Sequence, residues 1–223
     1  MTTLRIDIVS DVVCPWCYLG KARLELAIAD IQDEISVETF WQPYQLNPDY
    51  PPEGVDHQKA LAEKLGGAEN VARIHDNLVA LGRAVGIEYR FDAIKIGPNT
   101  LNAHRLIHWA GLDGTEVQDR VVTALFRANF EEGRNIGDPA VLTEIAKACG
   151  MDAKVTATLL ASDADRQTIL DEIETARGMG VNGVPFFIID GKYAISGAQT
   201  PDVLANALRQ IAAEKEKEQR GLN

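Results

Sequence analysis

The feature that most constrains this chain is a pair of cysteines at the junction of a predicted strand and a predicted helix. Residues 4–9 alternate in character and include β-branched side chains, which predicts a strand. The motif Cys14-Pro15-Trp16-Cys17 follows, and apolar residues then recur at helical spacing as far as Ile31. Proline suits the first position of a helix, because its fixed φ fits the helix and its missing N–H would have no partner there. The sequence therefore predicts that Cys14 lies at a helix N-terminus.

A cysteine in that position is favoured as the nucleophilic thiolate by unpaired backbone amides and by the positive end of the helix dipole. The dipole contributes about 0.3–1 kcal/mol, and up to about 2 in a partly buried site, which lowers a cysteine pKa by about one unit. Residues three apart lie on one helix face, within disulfide reach. Cys14 is thus the predicted nucleophile, and Cys17, one turn further in and less exposed, is the predicted resolving thiol.

Three other roles for the cysteines compete with this redox interpretation. An inert pair of buried thiols would not explain the position of the motif between a strand and a helix-starting proline. A structural zinc site normally needs a second cysteine pair or a histidine pair. The only further thiol is Cys149, which we expect to be a buried apolar residue. His104 and His108 share a predicted helix face and could join such a site or lie over the active site, but we favour a structural role for both. A structural disulfide is disfavoured because the chain shows no secretory signal, so we expect redox chemistry and no metal site.

The charge and hydropathy of the chain limit its partners. The formal net charge is −11, and no basic stripe is present to contact phosphates, so we expect neither nucleic acid nor an anionic membrane surface as a partner. No apolar run approaches the length that spans a bilayer. Residues 1–5 run directly into the first strand without a leader pattern, so the expected location is the cytoplasm. In that reducing compartment, reduction or isomerisation of disulfides is favoured over net oxidation.

The chain resembles the DsbA-type thioredoxin-fold oxidoreductases, and within them the FrnE-like branch. The resemblance begins with the active-site segment Ser10-Asp11-Val12-Val13-Cys14-Pro15-Trp16-Cys17-Tyr18-Leu19-Gly20-Lys21. The further matching segments, in order along nearly the whole chain, are Trp41-Gln42-Pro43-Tyr44-Gln45-Leu46-Asn47-Pro48, Asn99-Thr100-Leu101-Asn102-Ala103-His104-Arg105-Leu106, Gly183-Val184-Pro185-Phe186-Phe187 and Ile195-Ser196-Gly197-Ala198-Gln199. Related 2-hydroxychromene-2-carboxylate isomerases and kappa-class glutathione transferases typically carry serine where this chain has Cys14, a difference that favours dithiol chemistry.

The predicted elements agree with the layout that this resemblance implies, an α/β thioredoxin fold with a large helical insertion. A second strand is predicted over 36–42, and the pattern from 56 to about 180 is almost wholly helical. A strand over 184–190, a hairpin turn at Asp190-Gly191 and a strand over 192–195 precede the last helix. The predicted domains are a thioredoxin-like domain formed by 1–50 and 163–223, and an inserted helical domain over 51–162.

Polar residues mark the starts of helices within the helical stretch. Thr115-Glu116-Val117-Gln118 matches a capping box, in which the first and last side chains cap the opening turn. Ser162 or Asp163 is predicted to open a later helix that continues to about Met179.

The resemblance also implies roles for Val184 and Pro185. In thioredoxin-fold proteins the proline before this strand is cis and faces the Cys-x-x-Cys motif, where its missing N–H leaves no donor to compete for the sulfur. We therefore expect a cis Pro185 with a catalytic role. We also expect the Val184 backbone at an open strand edge beside Cys14, where a substrate peptide can pair. The base rates of X–Pro bonds alone would favour an ordinary trans proline.

Four further residues are assigned from their position or from the resemblance. Pro15 and Trp16, which lie between the cysteines, are predicted to contact substrate, with ordinary packing as the alternative for Trp16. Asn99 resembles a position that helps to bind glutathione or substrate in the isomerase relatives. Asp11 is expected to be an exposed loop carboxylate, with a proton acceptor near Cys17 as the alternative.

Three functions follow as hypotheses. The first is a thiol–disulfide oxidoreductase that reduces or isomerises disulfides of proteins or peptides, with Cys14 attacking and Cys17 resolving. It needs no resident cofactor, and glutathione is a candidate co-substrate. The second is a glutathione-dependent isomerase or transferase acting on a small aromatic molecule, in which Cys14 replaces the serine of the relatives. The third is a dithiol redox sensor or chaperone that binds partners without turnover.

Overall fold

A computed structural model of the chain describes residues 1–221. Residues 222–223, the end of the predicted segment 163–223, lie outside the described residues. The elements in chain order are β1 (Thr2–Ser10), α1 (Pro15–Ile31), β2 (Ile35–Pro43), β3 (Val55–Asp56), α2 (His57–Leu65), α3 (Ala68–Arg83), a short 3-10 turn (Phe91–Ala93), β4 (Ile96–Gly97), α4 (Leu101–Leu112), α5 (Thr115–Phe130), α6 (Pro139–Ala148), α7 (Ala153–Leu160), α8 (Arg166–Gly178), β5 (Phe186–Ile189), β6 (Tyr193–Ser196) and α9 (Pro201–Gln219). Within residues 1–221, no helix combines the length and apolar character that crossing a lipid bilayer requires.

Four strands form the central sheet, in the order β2-β1-β5-β6. β1 pairs in parallel with β2, and β5 pairs antiparallel with both β1 and β6. Side chains alternate between the faces of a strand, so Leu4, Ile6 and Ile8 of β1 are buried in the main core that α1 and α9 also enter. Val9 faces the other way and packs in a second cluster with Ala176 of α8. This mixed sheet, with its two halves separated in sequence by helices, confirms the predicted α/β thioredoxin fold with a helical insertion.

Aromatic side chains join the helical insertion to the start of α1. The Tyr18 ring stacks on Phe126 of α5 with 5.0 Å between ring centroids, and the Tyr89 ring meets Tyr18 edge-on at 5.9 Å. The Tyr89 hydroxyl donates a hydrogen bond to the carbonyl oxygen of Pro15 at 2.6 Å. Each such aromatic pair adds about 0.5–1.5 kcal/mol beyond the burial of its area. The first turn of α1 is therefore held against the inserted helices.

The turn between β5 and β6 has the predicted conformation. Asp190 and Gly191 have φ values of 50° and 67°, the left-handed geometry that an Asp-Gly pair favours in a two-residue hairpin turn. The amide of Lys192 donates to the carbonyl oxygen of Ile189 at 3.1 Å and closes the turn.

Two strand and helix starts near the sheet differ from the prediction. β5 begins at Phe186 rather than at 184, because Pro185 has no N–H to donate to the ladder. The predicted capping box does not form, since Gly114 is the N-cap of α5. The Gln118 side chain instead accepts a hydrogen bond from the amide of Trp41 in β2 at 3.0 Å. Because α5 packs on β2, the Gln118 side chain bonds to the strand and not to the start of its own helix.

The start of α8 also lies later than predicted, at Arg166 rather than at Ser162 or Asp163. The guanidinium of Arg105 in α4 donates to the carbonyl oxygens of Ser162 at 2.8 Å and Ala164 at 2.7 Å. Because their carbonyl oxygens accept these bonds, Ser162 and Ala164 stay in a loop before the helix. A capping rule based on neighbouring residues cannot predict a contact with the distant Arg105.

Candidate active site

The two predicted catalytic cysteines lie together at the start of α1. Cys14 is the N-cap residue, with an extended backbone, and Pro15 is the first residue of the helix. The Cys14 carbonyl oxygen accepts from the Cys17 amide at 3.0 Å, and the Cys14 amide donates to the Asp11 carbonyl oxygen at 2.9 Å. Both side chains are free thiols, 4% exposed at Cys14 and 1% at Cys17. The motif therefore has the helix-terminal geometry that its sequence predicts.

Val184 and Pro185 lie against this first turn. The Val184–Pro185 peptide bond is cis, as the resemblance implied. The Cys14 thiol donates to the carbonyl oxygen of Val184, with 3.6 Å between sulfur and oxygen. A Cβ placed on Gly20 would lie 2.8 Å from Cγ of Pro185, a separation too short for a real contact. Glycine at position 20 thus allows α1 to approach the proline closely enough for the Cys14–Val184 contact.

Cys17 lies in a closed environment that disfavours its thiolate. Burial raises the pKa of the Cys17 thiol well above its ordinary value of 9.0, and the neighbouring sulfur of Cys14 raises it further. The hydroxyl of Ser10 and the backbone of Asp11 face the thiol and oppose that rise. These surroundings therefore favour the protonated thiol at Cys17.

Asp11 is not the exposed loop carboxylate that the sequence led us to expect. Its side chain is 0% exposed. One carboxylate oxygen accepts from the amide of Leu46 at 2.8 Å, and the other lies 3.3 Å from Nε2 of His104. The expectation was wrong because the chain that follows β2 folds over the loop before Cys14, a contact between segments about thirty-five residues apart. Asp11 and His104 form a buried pair behind the dithiol.

The two histidines of α4 lie away from the open side of Cys14. His104 is buried against Asp11, and Nδ1 of His108 lies 3.7 Å from a carboxylate oxygen of Glu172 in α8. Both histidines line a separate cavity of about 200 Å³ next to the end of β2. Their surroundings agree with the structural role that we favoured.

A larger cavity, of about 350 Å³, opens beside Cys14 between residues 13–16 and helices α2 and α3. Four predicted site residues line it, namely Cys14, Pro15, Trp16 and Val184. The remaining wall is largely apolar and includes Leu61, Leu78 and Phe91. The fold thus places Cys14 on the wall of a partly open, largely apolar space, which we call the thiol cavity.

Asn99 does not line the thiol cavity. Its Oδ1 accepts from the side chain of Gln45 at 3.1 Å and from the amide of Leu101 at 3.0 Å. Its Nδ2 donates to the carbonyl oxygen of Tyr50 at 2.7 Å. The side chain therefore ties the segment after β2 to the start of α4, and a ligand would have to break these bonds to reach it. The binding role implied by the resemblance stays a prediction.

The polar residues on the cavity wall that the sequence analysis did not identify include His57, His75 and Asn129. The His75 ring stacks on Phe91 with 3.9 Å between centroids. Burial lowers the pKa of both histidines below its ordinary value of 6.5, so both rings are neutral at pH 7. The sequence contains one indication of Asn129, because this polar residue falls on the apolar stripe of a helix. A polar side chain at such a position often has a specific role.

A thioredoxin fold with two free thiols at the start of its first helix, facing a cis proline, defines the class of thioredoxin-fold oxidoreductases. The chain belongs to the family of DSBA-like thioredoxin domains, whose model matches residues 5–209. The predicted family is thereby confirmed. The activity that this membership supports is that of a DsbA-like thiol oxidoreductase.

Individual relatives agree with this assignment. YwbO of Bacillus subtilis (strain 168) is 30% identical over 212 residues, which cover 92% of this chain and 96% of that protein. The crystal structure of the probable DsbA oxidoreductase SCO1869 from Streptomyces coelicolor is 34% identical, with a TM-score of 0.83, and the match covers 93% of this chain and 89% of the other. A 2-hydroxychromene-2-carboxylate isomerase matches at 16% identity and a TM-score of 0.68, over 98% and 99% of the two chains, and shows the shared fold alone.

Proposed function

We propose that the chain is a thiol–disulfide oxidoreductase that reduces or isomerises disulfides of proteins or peptides through Cys14 and Cys17. The observation that carries this proposal is the position of the Cys14 sulfur, at the N-terminus of α1 and on the wall of the thiol cavity. Cys17, one turn further in, is closed off from that cavity. This difference in access to the cavity supports separate roles for the two thiols in one reaction.

In the first step, the Cys14 thiolate attacks one sulfur of a substrate disulfide. A bond forms between Cys14 and that sulfur, the substrate S–S bond breaks, and the second substrate sulfur leaves as a thiolate that takes up a proton. Loss of the Cys14 proton also ends its hydrogen bond to Val184, which frees that carbonyl oxygen to accept a backbone N–H from a substrate peptide.

In the second step, Cys17 loses its proton and attacks the Cys14 sulfur. The Cys14–Cys17 bond forms, the substrate thiolate leaves, and two electrons have passed from the dithiol to the substrate. We propose that a small cellular thiol such as glutathione, used as a co-substrate in two equivalents, reduces the protein disulfide again. A reducing compartment such as the cytoplasm supplies that thiol, and nothing in this scheme calls for a nucleic acid or a membrane.

The test uses two cysteine variants in an insulin-reduction assay. Cys14→Ser removes the attacking sulfur, and we expect it to abolish turnover. Cys17→Ser leaves the attack intact but removes the resolving thiol, so it should accumulate a mixed disulfide that adds the substrate's mass to the protein. Cys149→Ser, which changes a buried thiol outside the site, is the matched control and should retain turnover. Full activity of Cys14→Ser would refute the proposal.

The thiol cavity supports a second candidate function, a glutathione-dependent isomerase or transferase acting on a small aromatic molecule. Its volume of about 350 Å³ lies within the range of pockets that enclose small ligands. This chemistry needs Cys14 but not Cys17. Glutathione binding and turnover of a chromene-type substrate by Cys17→Ala would favour the second function, whereas loss of all turnover would favour the dithiol.

A further inference from the structure

The thiol cavity contains polar groups that the fold itself does not use. The side chain of Asn129 in α5 is 2% exposed, and its Oδ1 has no hydrogen-bond partner among residues 1–221. The Nε2 atom of His57, at the start of α2, is also buried without a partner within the same range. Both residues line the thiol cavity. Because the great majority of buried polar side-chain atoms are hydrogen-bonded, each such atom calls for an explanation.

The charge of the cavity narrows the class of ligand. The imidazoles of His57 and His75 are neutral, since burial lowers the pKa of each. Lys64 is the charged group of the lining, and it lies at the exposed rim with its ammonium bonded to Oδ1 of Asn47 at 2.8 Å. The interior therefore offers hydrogen-bonding groups and apolar walls without a net charge of its own.

The size of the cavity excludes a bulky occupant. Small-molecule pockets span about 300–1,000 Å³, so a volume of about 350 Å³ fits one compact group rather than a folded segment of chain. Cys14 lies on the same wall, so the sulfur of a molecule seated there can reach the nucleophile.

We propose that the thiol cavity binds a small, neutral, apolar molecule that carries one carboxamide-type group, and that Asn129 and His57 hydrogen-bond that group. A carboxamide donates and accepts at once, so it matches the side chain of Asn129, while the apolar body packs on the leucine and phenylalanine walls. The inference rests on the proposed function in one respect: the molecule is the non-sulfur part of a short, uncharged disulfide substrate of Cys14. It adds compact amide-bearing disulfides, as a further substrate class of the same site, to the protein and peptide disulfides of the proposed function.

The test separates binding from redox chemistry. The full chain carrying Cys14→Ser and Cys17→Ser is titrated with benzamide, benzoate and toluene, and affinities are measured by calorimetry and by amide NMR shifts. Two hydrogen bonds of ordinary strength predict that benzamide binds about tenfold more tightly than toluene. Benzoate should bind more weakly than benzamide, because the interior has no cation to pair with it. Tighter binding of benzoate, or equal binding of toluene, overturns the proposal.

A variant of nearly equal volume shows whether Asn129 supplies the hydrogen bonds. We expect Asn129→Leu to lower benzamide affinity about tenfold while toluene affinity stays unchanged. It should also leave the Tm unchanged or higher, because it replaces an unpartnered polar group with an apolar one. A merely structural role for Asn129 predicts the opposite, a lower Tm with unchanged affinity for benzamide.

Two further variants keep the result interpretable. Asn206→Leu, the same substitution at an exposed position of α9, should alter neither affinity. If Asn129→Leu does not fold, His57→Phe gives the same benzamide-to-toluene comparison at the second polar group. The probes contain no sulfur and the protein no active-site thiol, so a failure here leaves the insulin assay untouched, and failure of that assay leaves the binding result intact.

Discussion

Cys14 and Cys17 are one helical turn apart, yet they face two differently built regions of the molecule. On the Cys14 side lies the thiol cavity, an apolar space of about 350 Å³ with polar groups that have no partner among residues 1–221. On the Cys17 side lie Ser10 and Asp11, and Asp11 is itself sealed by His104. The Cys14 side opens on a cavity, whereas on the Cys17 side the carboxylate of Asp11 is paired within the protein and Oγ of Ser10 is buried without a partner among residues 1–221.

In the proposed function, this difference in surroundings gives the two thiols separate steps, although the residues themselves are chemically alike. Residues at i and i+3 of a helix are neighbours, so a substrate held at the first sulfur is within reach of the second. Burial keeps the second thiol protonated until that moment. Three experiments test this contrast between the open side at Cys14 and the sealed side at Cys17.

The largest effect is expected from opening the sealed side. Asp11→Ala leaves the amide of Leu46 and the imidazole of His104 without their partner, and each buried group left without its hydrogen bond costs about 1–3 kcal/mol of unfolding free energy. Urea denaturation measures the loss. Asp113→Ala, the same change at an exposed residue after α4, should stay within about 0.5 kcal/mol of the parent protein. Equal stability of the two variants would contradict a stabilising role for the contacts of Asp11 with Leu46 and His104.

A smaller effect is expected where α1 meets Pro185. A Cβ at Gly20 would lie 2.8 Å from the proline ring, so Gly20→Ala overpacks the contact and should cost about 1–3 kcal/mol. It should also displace Cys14 from Val184 and slow insulin reduction. At Gly178, the last residue of α8, a Cβ would meet nothing within 4 Å, and Gly178→Ala should instead stabilise by about 0.4–1 kcal/mol. Thermal and urea unfolding of the pair tests the difference in sign.

The smallest effect concerns the protonation of the sealed thiol. Because burial raises the pKa of Cys17 above its ordinary value of 9.0, its thiolate fraction at pH 8 falls about tenfold for each unit of that rise. We expect iodoacetamide to modify Cys17 slowly in the Cys14→Ser variant, at a rate that still climbs beyond pH 9. Mass spectrometry of the tryptic peptides measures it, with the urea-unfolded variant as the reference. A rate that levels off near neutral pH would show that the site favours the thiolate.

Much of the secondary structure was predictable from the preferences of neighbouring residues in the chain. The strand before Cys14, the helix that opens at Pro15, and the Asp190-Gly191 turn follow from side-chain periodicity and from the backbone preferences of proline, aspartate and glycine. These preferences act between neighbours in the chain, so no knowledge of packing was needed. The cis Pro185 came instead from the family resemblance, because X–Pro base rates alone favour trans.

The predictions that failed concerned side chains with two competing partners. The local sequence predicted that Gln118 caps its own helix, but its side chain accepts a hydrogen bond from the amide of Trp41 in a neighbouring strand. The sequence predicted that Asp11 is exposed to solvent, but its carboxylate contacts the amide of Leu46 and the ring of His104. Which partner wins depends on where distant segments pack, and a local pattern does not contain that information.

By itself, the sequence determined that two thiols lie three residues apart at the start of a helix, in a chain whose strands and helices follow the order of the thioredoxin fold. Only the tertiary structure decided what each thiol faces, which is the thiol cavity for Cys14 and the buried Ser10 and Asp11 for Cys17. The reason is physical: exposure, cavity volume and the pairing of buried polar groups are set by contacts between α1, the segment after β2 and the inserted helices. Asn129 and His57 come into one cavity with Cys14 through such contacts alone.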